Sequence, residues 1–173
     1  IIQSIIYRAM FFIALFYFKL FALSNNFDTF MWVQIESMTS KETINNVIKF
    51  ASENGYNHLL VQVRSRDNAA YNSKLVPKYS TINSQFDPLE YIIKSGHIHN
   101  LNIHAWLNMY VSWSGKYIPK NINHLLNVKK DWRDESFTKI NPTYTNHYIS
   151  PLHPDVNLYL LNIINEVCDN YNI

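Results

Sequence analysis

Residues 59–64 have the sequence LLVQVR, a short apolar run that ends in polar side chains. Residues 103–108, IHAWLN, repeat this arrangement, with histidine, tryptophan and asparagine toward the end. Short runs rich in β-branched and apolar residues predict buried strands. Polar side chains at a strand end need partners, because burying each one unpaired costs about 1–3 kcal/mol. These side chains therefore form either an internal hydrogen-bonded network or the wall of a site.

The chain around these two runs alternates strand and helix signals. An aromatic and β-branched run at 30–35 predicts the first strand. Thr39 and Glu42 fit a capping box at the start of a helix, in which each side chain satisfies a free backbone N–H group. Asn54-Gly55 supplies the end of that helix, since glycine tolerates a positive φ. Asp87, followed by proline, predicts the cap of a second helix.

A third helix is predicted from Pro154, after a long loop over 109–153. Cys168 falls within its helical pattern and is expected in the core, with a reactive thiol as the alternative. The repeated order of strand and helix predicts parallel βαβ units with right-handed crossovers. Long loops after the strands and short connections before them are typical of a (β/α) barrel whose site lies on one face. The predicted apolar stripe of the third helix consists of Val156, Leu160, Ile163, Ile164 and Val167.

Composition excludes several classes of protein. The chain has 173 residues, a formal net charge of +2 and no run of lysine and arginine, which disfavours nucleic acid as its partner. Its one cysteine excludes an internal disulfide. His104 has no second ligand at a metal-binding spacing. We therefore expect neither a metal nor a cofactor.

The first 24 residues have the features of a targeting segment. Tyr7-Arg8 precedes an apolar stretch at 9–18, and Ala22-Leu23-Ser24 provides small residues at its end. The stretch is shorter than the roughly 20 residues that a bilayer span needs. We predict a signal peptide at 1–24, with an uncleaved membrane anchor or a buried helix as alternatives. The remaining domain, 25–173, would then be secreted, periplasmic or in the cell envelope, and would contact a membrane only through this segment.

The alternation of side chains along a strand defines the candidate site. In a barrel, the polar residues of both runs would point inward at the mouth, unless they form an internal network without a ligand. One set consists of Leu60, Gln62 and Arg64, and the other of His104, Trp106 and Asn108.

Aromatic residues are concentrated in or beside one loop, namely Trp106, Tyr110, Trp113 and Tyr117. Flat rings stack on sugar faces, and asparagine, arginine and histidine bind hydroxyl groups. The combination favours a carbohydrate cleft, and ordinary packing of the loop is the alternative.

Residues 61–73, VQVRSRDNAAYNS, resemble the Q-V-R-x-R-G-D-A-x-Y-x-S element of the glycosyl-hydrolase-10-like family. The resemblance covers nearly everything from Phe30 to Ile173. It implies a TIM barrel, of which 25–173 is the N-terminal part with about three βα units. Further similar segments are 87–89, 104–108, 118–119, 124–127, 131–132 and 149–156.

The resemblance implies a glycosidase that acts on a glycan outside the cytoplasm, with bacterial cell-wall glycan as the candidate. The alternatives are a secreted glycan-binding barrel without catalysis and a non-hydrolytic barrel enzyme, such as a polysaccharide lyase. We expect the sugar to be bound by Arg64, Tyr71, His104, Trp106, Asn108, Tyr110 and Trp113.

Candidate catalytic carboxylates are few, although glycoside hydrolysis normally needs two. Only Glu36, near the end of the first strand, and Asp67, in the second loop, are candidates, and a loop or capping carboxylate is the alternative for Glu36. The Gly-Asp pair of the family falls at Asp67-Asn68, so its acid is either shifted by one residue or lost. In the family, a strand of the form D-G-I-H-x-D-Y would follow Ile173. We expect the main catalytic carboxylates there, and the segment itself to be inactive.

Overall fold

The computed structural model describes Met10 and residues 27–136 and 145–173. The predicted targeting segment at 1–24 lies outside the described residues, apart from Met10. Within the described part, no helix is long and apolar enough to cross a membrane.

Parallel strands form the centre of the fold. β1 spans Phe30–Val33, β2 spans His58–Ser65, and β4 spans Asn102–Leu107. β2 lies in the middle and pairs in parallel with both of the others. Between β2 and β4, a short β3, Asn68–Ala69, turns back and pairs antiparallel with the end of β2. This arrangement confirms the α/β class and the parallel strand order.

Helices connect the parallel strands in the predicted order. α1, Lys41–Glu53, joins β1 to β2, and α2, Pro88–Ile98, joins β2 to β4. Their buried residues, such as Ile44 and Ile48 of α1, recur at helical spacing and pack in one core with the buried strand residues. Each such side chain contributes about 1.5–3 kcal/mol when fully buried.

The other face of the sheet is open. Phe30 and Trp32 of β1 are exposed on it. Residues of β2 and β4 that are in register with them, such as Leu60 and His104, are only half-buried. We call this side of β1, β2 and β4 the open face.

The start of α1 differs from the predicted capping box by one residue. Ser40 is the cap: its Oγ accepts from the Thr43 N–H at 3.1 Å, and Thr43 Oγ1 accepts from the Ser40 N–H at 3.1 Å. The predicted pairing of Thr39 with Glu42 is therefore wrong. Thr39 instead ends a 3₁₀ turn over Ile35–Met38 and donates from Oγ1 to a carbonyl of that turn. This turn also ends the first strand two residues earlier than predicted.

The other predicted helix ends are confirmed. Asn54 follows the last residue of α1, and Gly55 adopts a φ of 74°, the left-handed conformation that favours glycine. Asp87 caps α2 by accepting from the Glu90 N–H at 3.1 Å, with Pro88 at the first position.

The predicted loop over 109–153 contains a second sheet. β5, Val111–Ser114, β7, Asn146–Ile149, and β6, Arg133–Asp134, form a three-stranded antiparallel sheet in that order. A single-turn helix, α3, Leu125–Val128, lies between β5 and β6. The strands of this second sheet are too short and too polar to stand out in the sequence, so the prediction of a loop over the whole of 109–153 is wrong.

The last helix, α4, spans Pro154–Asn170 and buries Val156, Leu160, Ile163 and Val167 as predicted. Ile164 and Cys168 are exposed, which contradicts their predicted place in the core. Each follows a buried residue by one position, and one position turns a side chain by about 100° around the helix.

Candidate functional site

A strained two-residue turn lies at the carboxyl end of β2. Arg66 and Asp67 join β2 to β3 with φ values of 50° and 60°. A two-residue hairpin of this hand needs positive φ at both positions, which glycine and asparagine adopt most easily. The family element has glycine at position 67, where this chain has aspartate. Asp67 therefore occupies a backbone position suited to glycine.

The side chain of Asp67 pairs with Arg64, which is completely buried. Arg64 Nη2 donates to Asp67 Oδ1 at 2.7 Å, and Arg64 Nη1 donates to the carbonyl oxygens of Asn108 and Met109. Tyr159 of α4 donates to the same Asp67 oxygen at 3.2 Å. Burial raises the pKa of the Asp67 carboxyl, and the positive charge of Arg64 opposes this rise. This cluster ties the ends of β2 and β4 to α4.

A second buried cluster surrounds Tyr71. Its hydroxyl donates to Glu166 Oε2 of α4 at 3.2 Å, and the Ser73 hydroxyl donates to the same oxygen at 2.5 Å. The backbone N–H of Lys74 donates to Glu166 Oε1 at 2.6 Å. These contacts hold the loop after β3 against α4.

Arg64 and Tyr71 have no surface available to a ligand in this structure. Both side chains therefore belong to internal hydrogen-bonded networks, which was the alternative to a ligand-binding wall in the sequence analysis. Their direct contact with a sugar stays a prediction, and it would require these contacts to open. The role that the structure supports is positioning of the loops at the strand ends.

Two predicted site residues, Trp106 and His104, lie on the open face. Trp106 of β4 lies edge-to-face with Trp32 of β1, with ring centroids 4.7 Å apart. His104 Nε2 lies 2.8 Å from His58 Nδ1, and Phe30 stacks on the His58 ring at 4.4 Å. His104 lies in the middle of β4 and not at its mouth.

Sequence reasoning missed Phe30, Trp32 and His58 as site residues. Strand parity was the signal that could have found them. In parallel pairing, Trp32 is in register with Leu60, and Leu60 with His104. Residues two positions apart along each strand then share the same face.

An exposed polar cluster lies at the carboxyl ends of β1 and β2. Glu36 is exposed, and its Oε1 accepts from the Tyr79 hydroxyl at 3.4 Å. Burial and the negative charge of Glu36 raise the pKa of Tyr79, and the charge of Arg66 opposes the rise. Sequence reasoning identified Glu36 but not Arg66 or Tyr79. Asn108 follows β4 and is half-buried.

The two remaining predicted residues belong to the small antiparallel sheet. Tyr110 is exposed beside β5 and donates from its hydroxyl to Asn157 Oδ1 at 3.2 Å. Trp113 of β5 donates from Nε1 to the Tyr117 carbonyl at 3.0 Å and contacts His124 edge-on. The part of the chain that the structure describes holds no group of three or more metal-ligating side chains.

One buried tyrosine, Tyr71, and two partly buried ones, Tyr159 and Tyr171, make a pH-dependent contribution to stability. Burial raises the pKa of Tyr71 to about 12, and it also raises the pKa of Tyr159 and Tyr171. In the unfolded chain, tyrosines ionise near about pH 10. Their stabilising contribution is therefore present below about pH 10 and is lost as the pH rises toward the folded-state values.

We therefore expect these phenols to stay protonated at about pH 11 in the folded chain and to ionise together with unfolding. The measurement is phenolate absorbance during an alkaline titration, followed alongside circular dichroism. The chain in denaturant is the control and should titrate near about pH 10 throughout. Full ionisation of all tyrosines near pH 10 in a chain that is still folded would contradict the prediction.

These features define an α/β protein with a parallel sheet, a strained turn at a strand end and an aromatic open face. The chain belongs to the family described as glycosyl hydrolase-like 10, whose profile matches residues 23–173. This match confirms the resemblance found in the sequence.

The fold is similar to a solved structure of a hypothetical protein from Ruminiclostridium thermocellum ATCC 27405. The TM-score is 0.58 at 15% identity, and the match covers 80% of this chain and 70% of that chain. A likeness at this identity concerns the fold alone. No curated protein matches the chain.

Proposed function

We propose that the chain is the N-terminal part of a (β/α)8 barrel that hydrolyses a glycan outside the cytoplasm, with bacterial cell-wall glycan as the candidate. Membership of a glycosyl hydrolase-like family supports a hydrolase-like function. The parallel strands, with helices packed on one side, support the barrel, because the open face corresponds to a barrel interior. We also propose residues 1–24 as the segment that directs export.

The pair formed by Trp32 and Trp106 is the observation that carries this proposal. The rings meet at 4.7 Å, and Trp32 remains 62% exposed on the open face. Contiguous exposed aromatic side chains mark binding sites on protein surfaces, and indole rings have flat apolar faces suited to sugar rings. Polar groups at the strand ends, such as Glu36 and Asn108, lie where barrel enzymes bind substrate.

Glu36 is the carboxylate that we assign to the chemistry of this site. It is exposed, follows β1 and accepts a hydrogen bond from Tyr79. Hydrolysis requires a second carboxyl group about 5–5.5 Å away for retention or about 6.5–9.5 Å away for inversion. Asp67 does not meet this need while Arg64 neutralises it.

The buried pair of Asp67 and Arg64 also favours a second candidate, a secreted glycan-binding barrel without catalysis. Of the two carboxylates predicted from the sequence, only Glu36 is exposed. A site with a single available carboxylate binds sugar hydroxyl groups without supplying both the acid and the base of hydrolysis.

Co-sedimentation with insoluble cell-wall glycan, together with an assay for new reducing ends, tests both candidates. We expect the full-length protein to sediment with the glycan and to release reducing ends, and we expect Glu36→Gln to retain binding while it loses release. Binding without release supports the glycan-binding alternative. Absence of binding to cell-wall glycan, with cellulose as the comparison matrix, overturns the proposed substrate.

A further inference from the structure

A buried glutamine of β2, Gln62, has one half of its amide bound and the other half free. Gln62 is 5% exposed, and its Oε1 accepts from the backbone N–H of Ile35 at 3.2 Å. Its Nε2 hydrogen-bonds to no residue in the part of the chain that the structure describes. The fully enclosed unpaired side-chain atoms of that part are Arg64 Nε and Ser112 Oγ, so Nε2 is not among them. The free half of the amide therefore reaches the surface.

The hydrogen bond to Ile35 determines which atom of the amide faces outward. A backbone N–H only donates, so it must meet the oxygen of the Gln62 amide and not the nitrogen. The nitrogen carries two N–H donors and accepts no hydrogen bond. A polar group on so buried a side chain destabilises the fold when it lacks a partner. The partner that Gln62 lacks is therefore a hydrogen-bond acceptor.

This free donor lies beside the aromatic pair of the open face. Gln62 is in register with Trp106 of β4, and the Trp106 ring lies 4.7 Å from that of Trp32. A sugar ring that covers an indole face presents its oxygen atoms at the ring edge, where a few polar side chains fix its orientation. Such an oxygen is an acceptor of the kind that Nε2 needs.

The bound half of the amide connects the same side chain to Glu36. Ile35 directly precedes Glu36 in the 3₁₀ turn over Ile35–Met38. The hydrogen bond from the Ile35 N–H to Gln62 Oε1 fastens this turn to β2. A sugar that accepts from Nε2 therefore lies next to the turn that carries the carboxylate assigned above.

We propose that Gln62 binds the glycan directly, donating from Nε2 to a sugar oxygen while Oε1 holds the turn that carries Glu36. The inference rests on the proposed function and adds to it a residue that determines specificity. Because the backbone of Ile35 fixes the amide, the donor has one orientation. A site built around such a donor rejects a sugar that has no oxygen at the matching position.

Two variants separate the free donor from the bound acceptor. Gln62→Glu keeps the side-chain length and an oxygen that accepts from Ile35, but it replaces both N–H donors with a second acceptor. Gln62→Met keeps a similar shape and removes donor and acceptor together. At about pH 8, well above the ordinary pKa of a carboxyl group, we expect Gln62→Glu to bind soluble cell-wall glycan fragments about tenfold more weakly.

Amide hydrogen exchange at Ile35 reports on the bound half alone. Exchange at Ile35 should stay slow in Gln62→Glu and become faster in Gln62→Met, while both variants lose affinity. Gln85→Glu is the matched control, since Gln85 is an exposed glutamine in the loop before α2. It makes the same change of charge and should keep the original affinity.

NMR of the side-chain amide gives a readout that a purely structural role would not change. When the full chain is saturated with glycan fragments, we expect the Gln62 side-chain amide signals to shift together with the Trp106 indole signal. The Gln62 signals are assigned by their loss in Gln62→Glu.

A shifted Trp106 signal with unshifted Gln62 signals, or full affinity in Gln62→Glu, would overturn the inference and leave the proposed function standing. Loss of affinity in Gln62→Glu accompanied by faster exchange at Ile35 would reduce Gln62 to a structural role and would also overturn it. A full chain that binds none of the fragments would reject the proposed function, and the role of Gln62 with it.

Discussion

Replacing Asp67 with glycine is expected to lower the free energy of unfolding by about 3–5 kcal/mol, because it leaves the buried Arg64 charge without its carboxylate. Arg64 is 0% exposed and donates to Asp67 at 2.7 Å. The backbone effect of the same substitution has the opposite sign, since glycine relieves the φ of 60° at this position. Any loss of stability therefore comes from the side chain. Chemical denaturation at neutral pH provides the measurement.

A double variant separates the lost charge pair from other effects. Arg64→Met together with Asp67→Gly removes both charges, and it should be more stable than Asp67→Gly alone because no unpaired buried charge remains. Glu53→Ala, which removes an exposed pair with Lys49, is the surface control and should change stability by no more than about 0.5 kcal/mol. An Asp67→Gly variant as stable as the original chain would show that the pair contributes no more than the backbone strain that glycine relieves.

The parts of the fold that were predicted correctly depend on local chemistry. Asp87 followed by proline specifies a helix start within four residues, and Asn54-Gly55 specifies a helix end in the same way. The cap of α1 lies one residue later than the sequence predicts, because Thr39 and Ser40 are both good caps. The 3₁₀ turn before α1 decides between them, and that turn depends on packing of buried residues such as Ile35.

The candidate site was predicted less well, because it depends on contacts between distant residues. The alternation of side chains predicts that Arg64 and Gln62 lie on the same face of β2. An unbroken register between β2 and β4 would then pair Arg64 with Asn108. The register shifts between Gln62 and Arg64, so Arg64 pairs with Leu107 instead. A bulge of this kind alters the direction of a side chain, and no local pattern in the run 59–64 reveals it.

The strained turn shows why Arg64 was expected at the mouth and found in the interior. Its carboxylate partner, Asp67, reaches back only because both turn residues have positive φ. Tyr159, the other contact of Asp67, comes from α4, far along the chain. A buried ion pair of this type is assembled by tertiary structure. The sequence therefore identifies Arg64 and Asp67 as candidate residues but does not predict that their side chains contact each other.

Trp32→Ala is expected to weaken glycan binding by about 2 kcal/mol, or about thirtyfold, because exposed tryptophans at binding sites contribute strongly when their faces are covered. In this chain the effect on folding should be small, since Trp32 is 62% exposed and its main ring partner is Trp106. Loss of affinity with little change in thermal stability therefore assigns the ring to binding. Titration calorimetry with soluble glycan fragments measures the affinity.

Leu158→Ala is the matched control for this experiment. Leu158 is 58% exposed, a large apolar side chain of comparable accessibility, but it lies on α4 and not on the strands of the open face. If apolar exposure alone caused the binding, both variants would lose affinity to the same extent. If the open face is the sugar platform, Leu158→Ala keeps the original affinity while Trp106→Ala loses it as Trp32→Ala does. Equal affinities for the Trp32 and Leu158 variants would place the glycan elsewhere on the molecule.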